Sequence, residues 1–167
     1  LNMMYDSNAF CTSLIVQDEN NNIIHARNLD YGWNDLIVKL YYDVEVYRNG
    51  ELLYYGNFLG GFVGLCTGLK PYKFAISGNQ RISKGITSDQ QYWQAPLGRL
   101  TNLWEFFYNK RIGMLMAHRK VFEEAESYTE AIKMLSEIPL LSPVYYIVSG
   151  TKSNEGIILE MDRDGPV

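Results

Sequence analysis

The residues best suited to chemistry cluster near the start of this sequence, in the runs "CTSLIVQD" and "HARNLD". Cys11 begins the first run, and Arg27 and Asp30 end the second, with fifteen residues between Cys11 and Arg27. A cysteine attacks a carbonyl carbon as the thiolate, so it needs a base that accepts its proton. The spacing predicts a nucleophilic site at Cys11. The alternative is that Cys11 is a small buried hydrophobe and that Arg27 and Asp30 form a structural ion pair.

The base for Cys11 has three candidates. His25 and His118 are the two histidines of the chain, and neither lies at a spacing that ties it to Cys11. An inward-facing histidine on a strand is more often a packed residue than a base. The third candidate is the α-amine of Cys11 itself, which a cut of the Phe10–Cys11 bond would create. A free α-amine has a pKa of about 8 and accepts a thiol proton at mild pH.

These residues must be brought together by a hairpin, because the turn-rich segment "DENNN" separates two apolar, β-branched runs. If the residue numbers of paired residues sum to about 40, Ser13 lies opposite Arg27 and Cys11 lies opposite Leu29. Alternation along each strand then puts Cys11 and Arg27 on one face. Asp30 lies at the strand end beside the start of the first strand. We therefore expect Cys11, Arg27 and Asp30 to converge at one end of the hairpin, whereas a slip of one residue would reverse the faces.

The remaining elements predict an α+β fold in one domain. The dipeptide Asn49-Gly50 between alternating runs is the strongest short hairpin signal. Apolar residues recur with helical spacing from about Leu97 to Glu123, and the aromatic stretch 104–108 is expected to belong to the core. Ser127–Glu130 fits a capping box, and the helix it begins ends at Pro139. The runs "PVYYIVSG" and "EGIILEMD" predict a last hairpin, so helices pack on a largely antiparallel sheet.

Composition narrows the classes of function. The chain has 167 residues, 47% of them hydrophobic, which is enough for a sizeable core. Its net charge of −4 gives no basic patch for nucleic acid. Two cysteines, Cys11 and Cys66, do not make a disulfide framework, and two isolated histidines do not make a zinc site. Cys66 is expected in the core. No run approaches the roughly 18 apolar residues of a membrane span.

Several stretches together resemble the N-terminal nucleophile (Ntn) hydrolases of the choloylglycine hydrolase type. They are "CTS", "ARNLDY", "NFLGGFVGLCTGLKPYKFAISGNQR" and "PVYYIVSGTKSNEGIILEMDRDGP". The likeness runs from about Cys11 to the end of the chain. Within that type the sequence is most similar to the acid amidases and acid ceramidases. The segment "NLDY" and the short connection after it favour the acid amidases.

The resemblance implies a four-layer α-β-β-α sandwich, of which this chain would be an incomplete fragment. Residues 1–10 would end a propeptide-derived α-subunit, and residues 11–167 would be the N-terminal part of the catalytic β-subunit, truncated at its C-terminus. It further implies self-cleavage before Cys11, which becomes the nucleophile with its own α-amine as base. Asp30 would orient that amine, Arg27 would steady the thiolate and the polar atoms of the acyl group, and Tyr31 would line the substrate mouth.

Two positions depart from the family pattern. Gln80, in "GNQR", stands where the family has a glutamate tied to self-processing and to the amine network. An amide can still donate and accept hydrogen bonds at that position. The asparagine that donates to the oxyanion in the family is expected beyond Val167, as is a later arginine. We expect this segment alone to be inactive, because one lost oxyanion donor costs about 10²–10³ in rate.

The resemblance thus predicts a lipid amide hydrolase that cleaves N-acylethanolamines without metal or cofactor. Two alternatives stay open, hydrolysis of ceramide by the same mechanism and a degenerate, non-catalytic member that binds lipid. The expected partners are a lipid amide substrate, the upstream propeptide-derived α-subunit and a membrane surface, but not nucleic acid. A lysosomal or secreted location follows from the resemblance alone.

Overall fold

The first element is an antiparallel hairpin in a computed structural model that describes residues 9–31, 35, 38–81 and 104–167. Strand β1 (Ala9–Gln17) pairs with strand β2 (Ile23–Tyr31). The turn is closed by the Asp18 carboxylate, which accepts hydrogen bonds from two backbone N–H groups of the turn at 2.8 Å. Asn21 adopts a φ of 65°, a conformation that asparagine tolerates better than most residues. Local side-chain chemistry therefore sets the end of the hairpin.

The predicted register of this hairpin is confirmed. Ser13 pairs with Arg27, and Cys11 pairs with Leu29. Odd-numbered side chains from 11 to 15 are half-buried, whereas even-numbered side chains from 12 to 16 are exposed. A slip of one residue would exchange these two sets on one strand and turn Cys11 away from Arg27.

The second sheet contains seven antiparallel strands, each paired with the next in chain order. The Asn49-Gly50 hairpin is confirmed, because φ values of 55° and 85° at these residues form the turn that the dipeptide favours. A 3-10 turn, Val38–Leu40, precedes the first strand of this sheet. The strands are β3 (Tyr41–Arg48), β4 (Glu51–Leu59), β5 (Thr67–Lys70), β6 (Phe74–Gln80), β7 (Val144–Ser149), β8 (Gly156–Asp162) and β9 (Gly165–Pro166).

Helices α1 (Met114–Glu124) and α2 (Tyr128–Glu137) lie between β6 and β7 in the sequence. The predicted cap of α2 is confirmed, because the Ser127 hydroxyl accepts a hydrogen bond from the backbone of Glu130 at 3.2 Å. The Glu130 carboxylate in turn accepts a bond from the backbone of Glu126 at 2.7 Å. This reciprocal arrangement satisfies backbone N–H groups that the first turn of a helix leaves open.

The seven-stranded sheet lies between the helices and the hairpin. A Cβ atom at Gly78 of β6 would lie 2.8 Å from the His118 ring of α1, so one face meets the helices closely. On the opposite face, the Ser77 hydroxyl of β6 lies 3.0 Å from the Ser13 hydroxyl of β1. The described residues thus form an α+β fold of three successive layers, helix, sheet and hairpin, which fits the predicted sandwich.

The main core fills the space between the sheet and the helices. Buried side chains from the strands and from one face of each helix form a single cluster there. The largest of them that are almost completely buried include Tyr54, Leu59, Leu65, Phe74, Ile76, Leu115, Phe122, Leu135, Leu140 and Tyr146.

The aromatic stretch 104–108 does not belong to this core, so that prediction is wrong. Residues 104–107 are helical, but Trp104, Phe107 and Tyr108 are 56%, 67% and 67% exposed. The helical period also breaks before α1, where Lys110 adopts a φ of 52°. Helices α1 and α2 cover the sheet instead, so the stretch has no apolar face to bury against it. The first part of the predicted helical segment, residues 97–103, lies outside the described residues.

Candidate active site

Cys11 and Arg27 contact each other on the inner face of the hairpin. The Arg27 Nη2 atom donates a hydrogen bond to the Cys11 sulfur at 3.1 Å. Cys11 is half-buried and forms no disulfide. The two residues lie on adjacent strands, offset by two positions in the register, so alternation directs both side chains toward the seven-stranded sheet. A guanidinium beside a sulfur interacts more strongly with the thiolate than with the thiol.

The Arg27 guanidinium is held in place by the large sheet. Its Nη2 donates to the carbonyl of Gly78 at 2.8 Å, and its Nη1 donates to Thr67 Oγ1 at 2.9 Å and to the carbonyl of Cys66 at 3.2 Å. These acceptors belong to β5, β6 and the residue before β5. The guanidinium presents several N–H groups in one plane and so reaches acceptors on both β5 and β6, whereas a lysine offers a single nitrogen.

Cys66 and Tyr41 border the site, and sequence reasoning missed this role for both. The prediction that Cys66 belongs to the core is confirmed, because it is 1% exposed. Its carbonyl nevertheless accepts the bond from Arg27, and its sulfur accepts a bond from the Tyr41 hydroxyl at 3.5 Å. Burial raises the pKa of Tyr41 far above its ordinary value, so the hydroxyl stays a donor. No local pattern marks either residue, because these contacts join residues 25 and 39 positions apart in the sequence.

Asp30 lies at the predicted end of the hairpin, on the face opposite Cys11 and Arg27. It pairs with Phe10, the residue before Cys11. Its side chain is exposed and accepts a hydrogen bond from Asn28 Nδ2 at 2.7 Å, on the face opposite Arg27. Alternation explains the difference, because an even-numbered residue of β2 points away from the inner face. Cys11, Arg27 and Asp30 therefore lie at one end of the hairpin, as expected, but Asp30 is on the opposite face from the other two.

Tyr31 and Gln80 each lie at the last position of a strand. Tyr31 ends β2 opposite Ala9, and its side chain lies outside the described ones. Gln80 ends β6, is half-buried and pairs with Val144. The preceding residue, Asn79, reaches the nucleophile strand instead, because its Oδ1 atom accepts a bond from the Ser13 hydroxyl at 2.9 Å. Asn79 carried no signal in the sequence.

Neither histidine forms a hydrogen bond with Cys11. The His25 ring points inward, with Nδ1 at 2.9 Å from the Ser149 hydroxyl and Nε2 at 2.8 Å from the Ser77 hydroxyl. Burial lowers the pKa of His25, and the charge of Arg27 adds to this effect. His118 lies on the helix side of the sheet, where complete burial lowers its pKa to about 3.

A cleft of about 910 Å³ opens beside β2, on the inner side of the hairpin. Arg27 and His25 line it, as do Thr67 and Ser149, and the side chains of Asp43 and Glu45 add carboxylates at its border. The described ranges contain no group of three or more His, Cys, Asp or Glu residues able to hold a metal ion. Within the same ranges, no helix is long and apolar enough to cross a membrane.

Comparisons with known proteins agree with this arrangement. The N-acylethanolamine-hydrolyzing acid amidase of Oryctolagus cuniculus is 37% identical over 99% of this chain and 43% of its own length. The acid ceramidase of Pan troglodytes is 31% identical over 97% of this chain and 42% of its own length. The chain therefore spans less than half the length of the curated relatives it matches.

The structure of a Caenorhabditis elegans N-acylethanolamine-hydrolyzing acid amidase ortholog superposes with a TM-score of 0.75 at 30% identity. That similarity covers 92% of this chain and 61% of the other chain. Residues 11–166 match the family described as linear amide C-N hydrolases, choloylglycine hydrolase family, and the match begins at Cys11. This chain belongs to the choloylglycine hydrolase family of linear amide C-N hydrolases.

Proposed function

We propose that the protein containing this chain is a lipid amide hydrolase that cleaves N-acylethanolamines into fatty acid and amine, with Cys11 as nucleophile. The hydrogen bond of 3.1 Å from Arg27 Nη2 to the Cys11 sulfur carries the proposal. A half-buried guanidinium held by three further acceptors is a fixed positive charge beside the one half-buried thiol of the described residues. A charged hydrogen-bond donor on the sulfur supports a role in chemistry over that of an inert, packed cysteine.

The proposed reaction begins with cleavage of the Phe10–Cys11 bond, which separates residues 1–10 from residues 11–167. The new α-amine of Cys11 accepts the thiol proton, and the sulfur attacks the amide carbon of the substrate. The tetrahedral adduct collapses, the C–N bond breaks, and the leaving amine takes a proton from the α-ammonium. Water, deprotonated by the same α-amine, then attacks the thioester, which releases the fatty acid and restores the thiol.

Arg27 stabilises the thiolate and positions polar atoms of the acyl group in this scheme. Asp30 pairs with Phe10 at the cut bond and orients the new amine in this scheme. Gln80 takes the place of the family glutamate in the amine network, and Tyr31 lines the mouth of the substrate site.

The substrate preference rests on the greater similarity to the amidases, at 37% identity against 31% for the acid ceramidase. A competition between a fatty acyl ethanolamide and a ceramide in one assay separates the two substrates. Preferred turnover of the ceramide would replace the proposed substrate and keep the mechanism.

The names of both relatives also support an acidic compartment, so we propose a lysosomal or secreted protein. An upstream α-subunit and a membrane surface complete the proposed partners.

The test is the intact mass of the full-length protein before and after incubation in mildly acidic buffer, followed by turnover assays. Cleavage between Phe10 and Cys11, with turnover that is lost in Cys11→Ala, is the expected result. The variant Gln80→Glu, which supplies the family carboxylate, should cleave at least as fast. A protein that stays uncut and whose Cys11 reacts slowly with electrophiles would instead be the degenerate lipid-binding member.

A further inference from the structure

A chain of hydrogen bonds joins the middle of the hairpin to the large sheet. It runs from the Ser149 hydroxyl to His25 Nδ1 at 2.9 Å, and from His25 Nε2 to the Ser77 hydroxyl at 2.8 Å. It continues from Ser77 to the Ser13 hydroxyl at 3.0 Å and ends on Asn79 Oδ1 at 2.9 Å. Ser77 and Ser149 are 0% and 2% exposed, so their hydroxyl groups depend on these partners rather than on bulk water.

The donor of each bond in this chain can be assigned by starting from Asn79 Oδ1, the acceptor at its end. The side-chain oxygen of Asn79 only accepts, so the proton of Ser13 is used there. Ser77 must then donate to Ser13, because a hydroxyl has one proton. With the proton of Ser77 used, His25 must donate to it through Nε2–H. The Nδ1 atom of a neutral His25 is then an acceptor, and Ser149 donates to it.

We infer that His25 is a positioning residue, held as the neutral Nε2–H tautomer, which aligns the strands of Cys11 and Arg27 on the large sheet. His25 is two residues before Arg27 on β2, and Ser13 is two residues after Cys11 on β1, all on the inner face. The chain therefore anchors both strands one step from the reacting sulfur. A separate contact anchors the far end, where Gln17 bonds the β7–β8 turn.

Because His25 is the Nε2–H tautomer, the alignment of the two strands depends on one donor, the Nε2–H group that bonds Ser77. An imidazolium would present N–H groups on both sides, so Ser149 would have to turn its hydroxyl and accept from Nδ1–H instead of donating. Burial and the charge of Arg27 both favour the neutral ring. A side chain of similar size without a donor would fill the space but leave Ser77 without a partner on that side. The requirement is therefore for the donor to Ser77, and not for volume alone.

Three substitutions separate these contributions. In His25→Gln the amide nitrogen takes the place of Nε2 and keeps the bond to Ser77. In His25→Asn the amide oxygen takes the place of Nδ1 and keeps only the bond from Ser149. His25→Leu is close in size to glutamine and keeps neither bond. A role in packing alone predicts equal behaviour of the Gln and Leu variants, whereas the inferred role predicts that Gln is clearly the better of the two.

The inference rests on the proposed function, so the experiment has one arm that does not need turnover. The full-length protein is labelled with ¹⁵N-histidine, and the His25 signals are assigned by their loss in His25→Gln. A protonated Nε2 and an unprotonated Nδ1 are expected. A protonated Nδ1, or rapid exchange between tautomers, overturns the inference whatever the activity. This arm needs only a folded His25→Gln protein, so it stays informative if His25→Leu or His25→Asn fails to fold.

The second arm measures kcat and KM with a fatty acyl ethanolamide. Misplacement of reacting groups by about 1 Å can lower a rate by about 10²-fold, so His25→Leu and His25→Asn should lose up to about 10²-fold in kcat. His25→Gln should stay within about 10-fold of the unsubstituted protein, with KM little changed in all three. Equal kcat for the Gln and Leu variants overturns the inference. If the unsubstituted protein shows no turnover, the proposed function is refuted. The tautomer of His25 is then still tested by the NMR arm, which needs no turnover.

Discussion

Removal of the Arg27 guanidinium should slow the chemistry of Cys11 by a predictable amount. Arg27 donates to the Cys11 sulfur at 3.1 Å and is fixed by the Gly78 carbonyl at 2.8 Å and by two acceptors around β5. A hydrogen bond to a charged group contributes about 1.5–3 kcal/mol. If Arg27→Met loses that contribution to the thiolate, about half of it appears in the rate, because a less stabilised thiolate is also a better nucleophile, and the reaction rate of Cys11 falls about 3- to 20-fold.

The assay is alkylation of the full-length protein by iodoacetamide, followed at the Cys11 peptide by mass spectrometry over a range of pH. Arg27→Lys keeps the charge and should fall between the unsubstituted protein and Arg27→Met. Cys66 is buried, so its slow alkylation reports whether the fold stays closed. Arg119→Met is the matched control, because that guanidinium pairs with Glu123 along α1 and should leave the Cys11 rate unchanged. Unaltered alkylation of Cys11 in a folded Arg27→Met protein would refute the reasoning.

Three further predictions concern the stability of the helix side of the sheet. Gly78→Ala should lower stability by about 1–3 kcal/mol, because the new methyl group would overlap Met114 and the His118 ring, and Met114→Ala should partly restore it. Because the folded-state pKa of His118 is about 3 against 6.5 for a free ring, protonation favours the unfolded chain, and stability should fall by up to about 1.4 kcal/mol per pH unit from about pH 6.5 toward pH 3. Lys70→Met should cost about 1–3 kcal/mol, because the buried ammonium donates to the Ala125 carbonyl at 2.7 Å and the substitution leaves that acceptor unpaired.

Thermal unfolding of the full-length protein measures all three. A Gly78→Ala/Met114→Ala double variant that loses the sum of the single losses would contradict the predicted overlap. His118→Asn keeps a donor for the Leu65 carbonyl but takes up no proton, so its Tm should depend less on pH below about 6.5. An unchanged pH dependence would contradict the assignment to His118. Lys73→Met is the control for Lys70, since it removes a more exposed partner of the same Glu126 and should cost less.

The sequence by itself determined the features that depend on neighbouring residues. The Asp18 turn, the Asn49-Gly50 turn and the Ser127 cap form as predicted, because each depends on side chains within a few residues. The register of the first hairpin also follows from the sequence, since centring the pairing on the turn-rich segment at residues 18–22 makes the numbers of paired residues sum to 40. That register is sufficient to place Cys11 beside Arg27.

Only the tertiary structure decided what meets this hairpin across the layers. Asp30 shares the end of the hairpin with Cys11 but faces the other way, which a count of spacing at the strand end did not resolve. The contact of Asn79 with Ser13, the bond from Arg27 to the Cys66 carbonyl and the serines on both sides of His25 join residues far apart in the sequence. Such partners are selected by how two sheets pack, and packing depends on the summed burial of many side chains rather than on any local pattern.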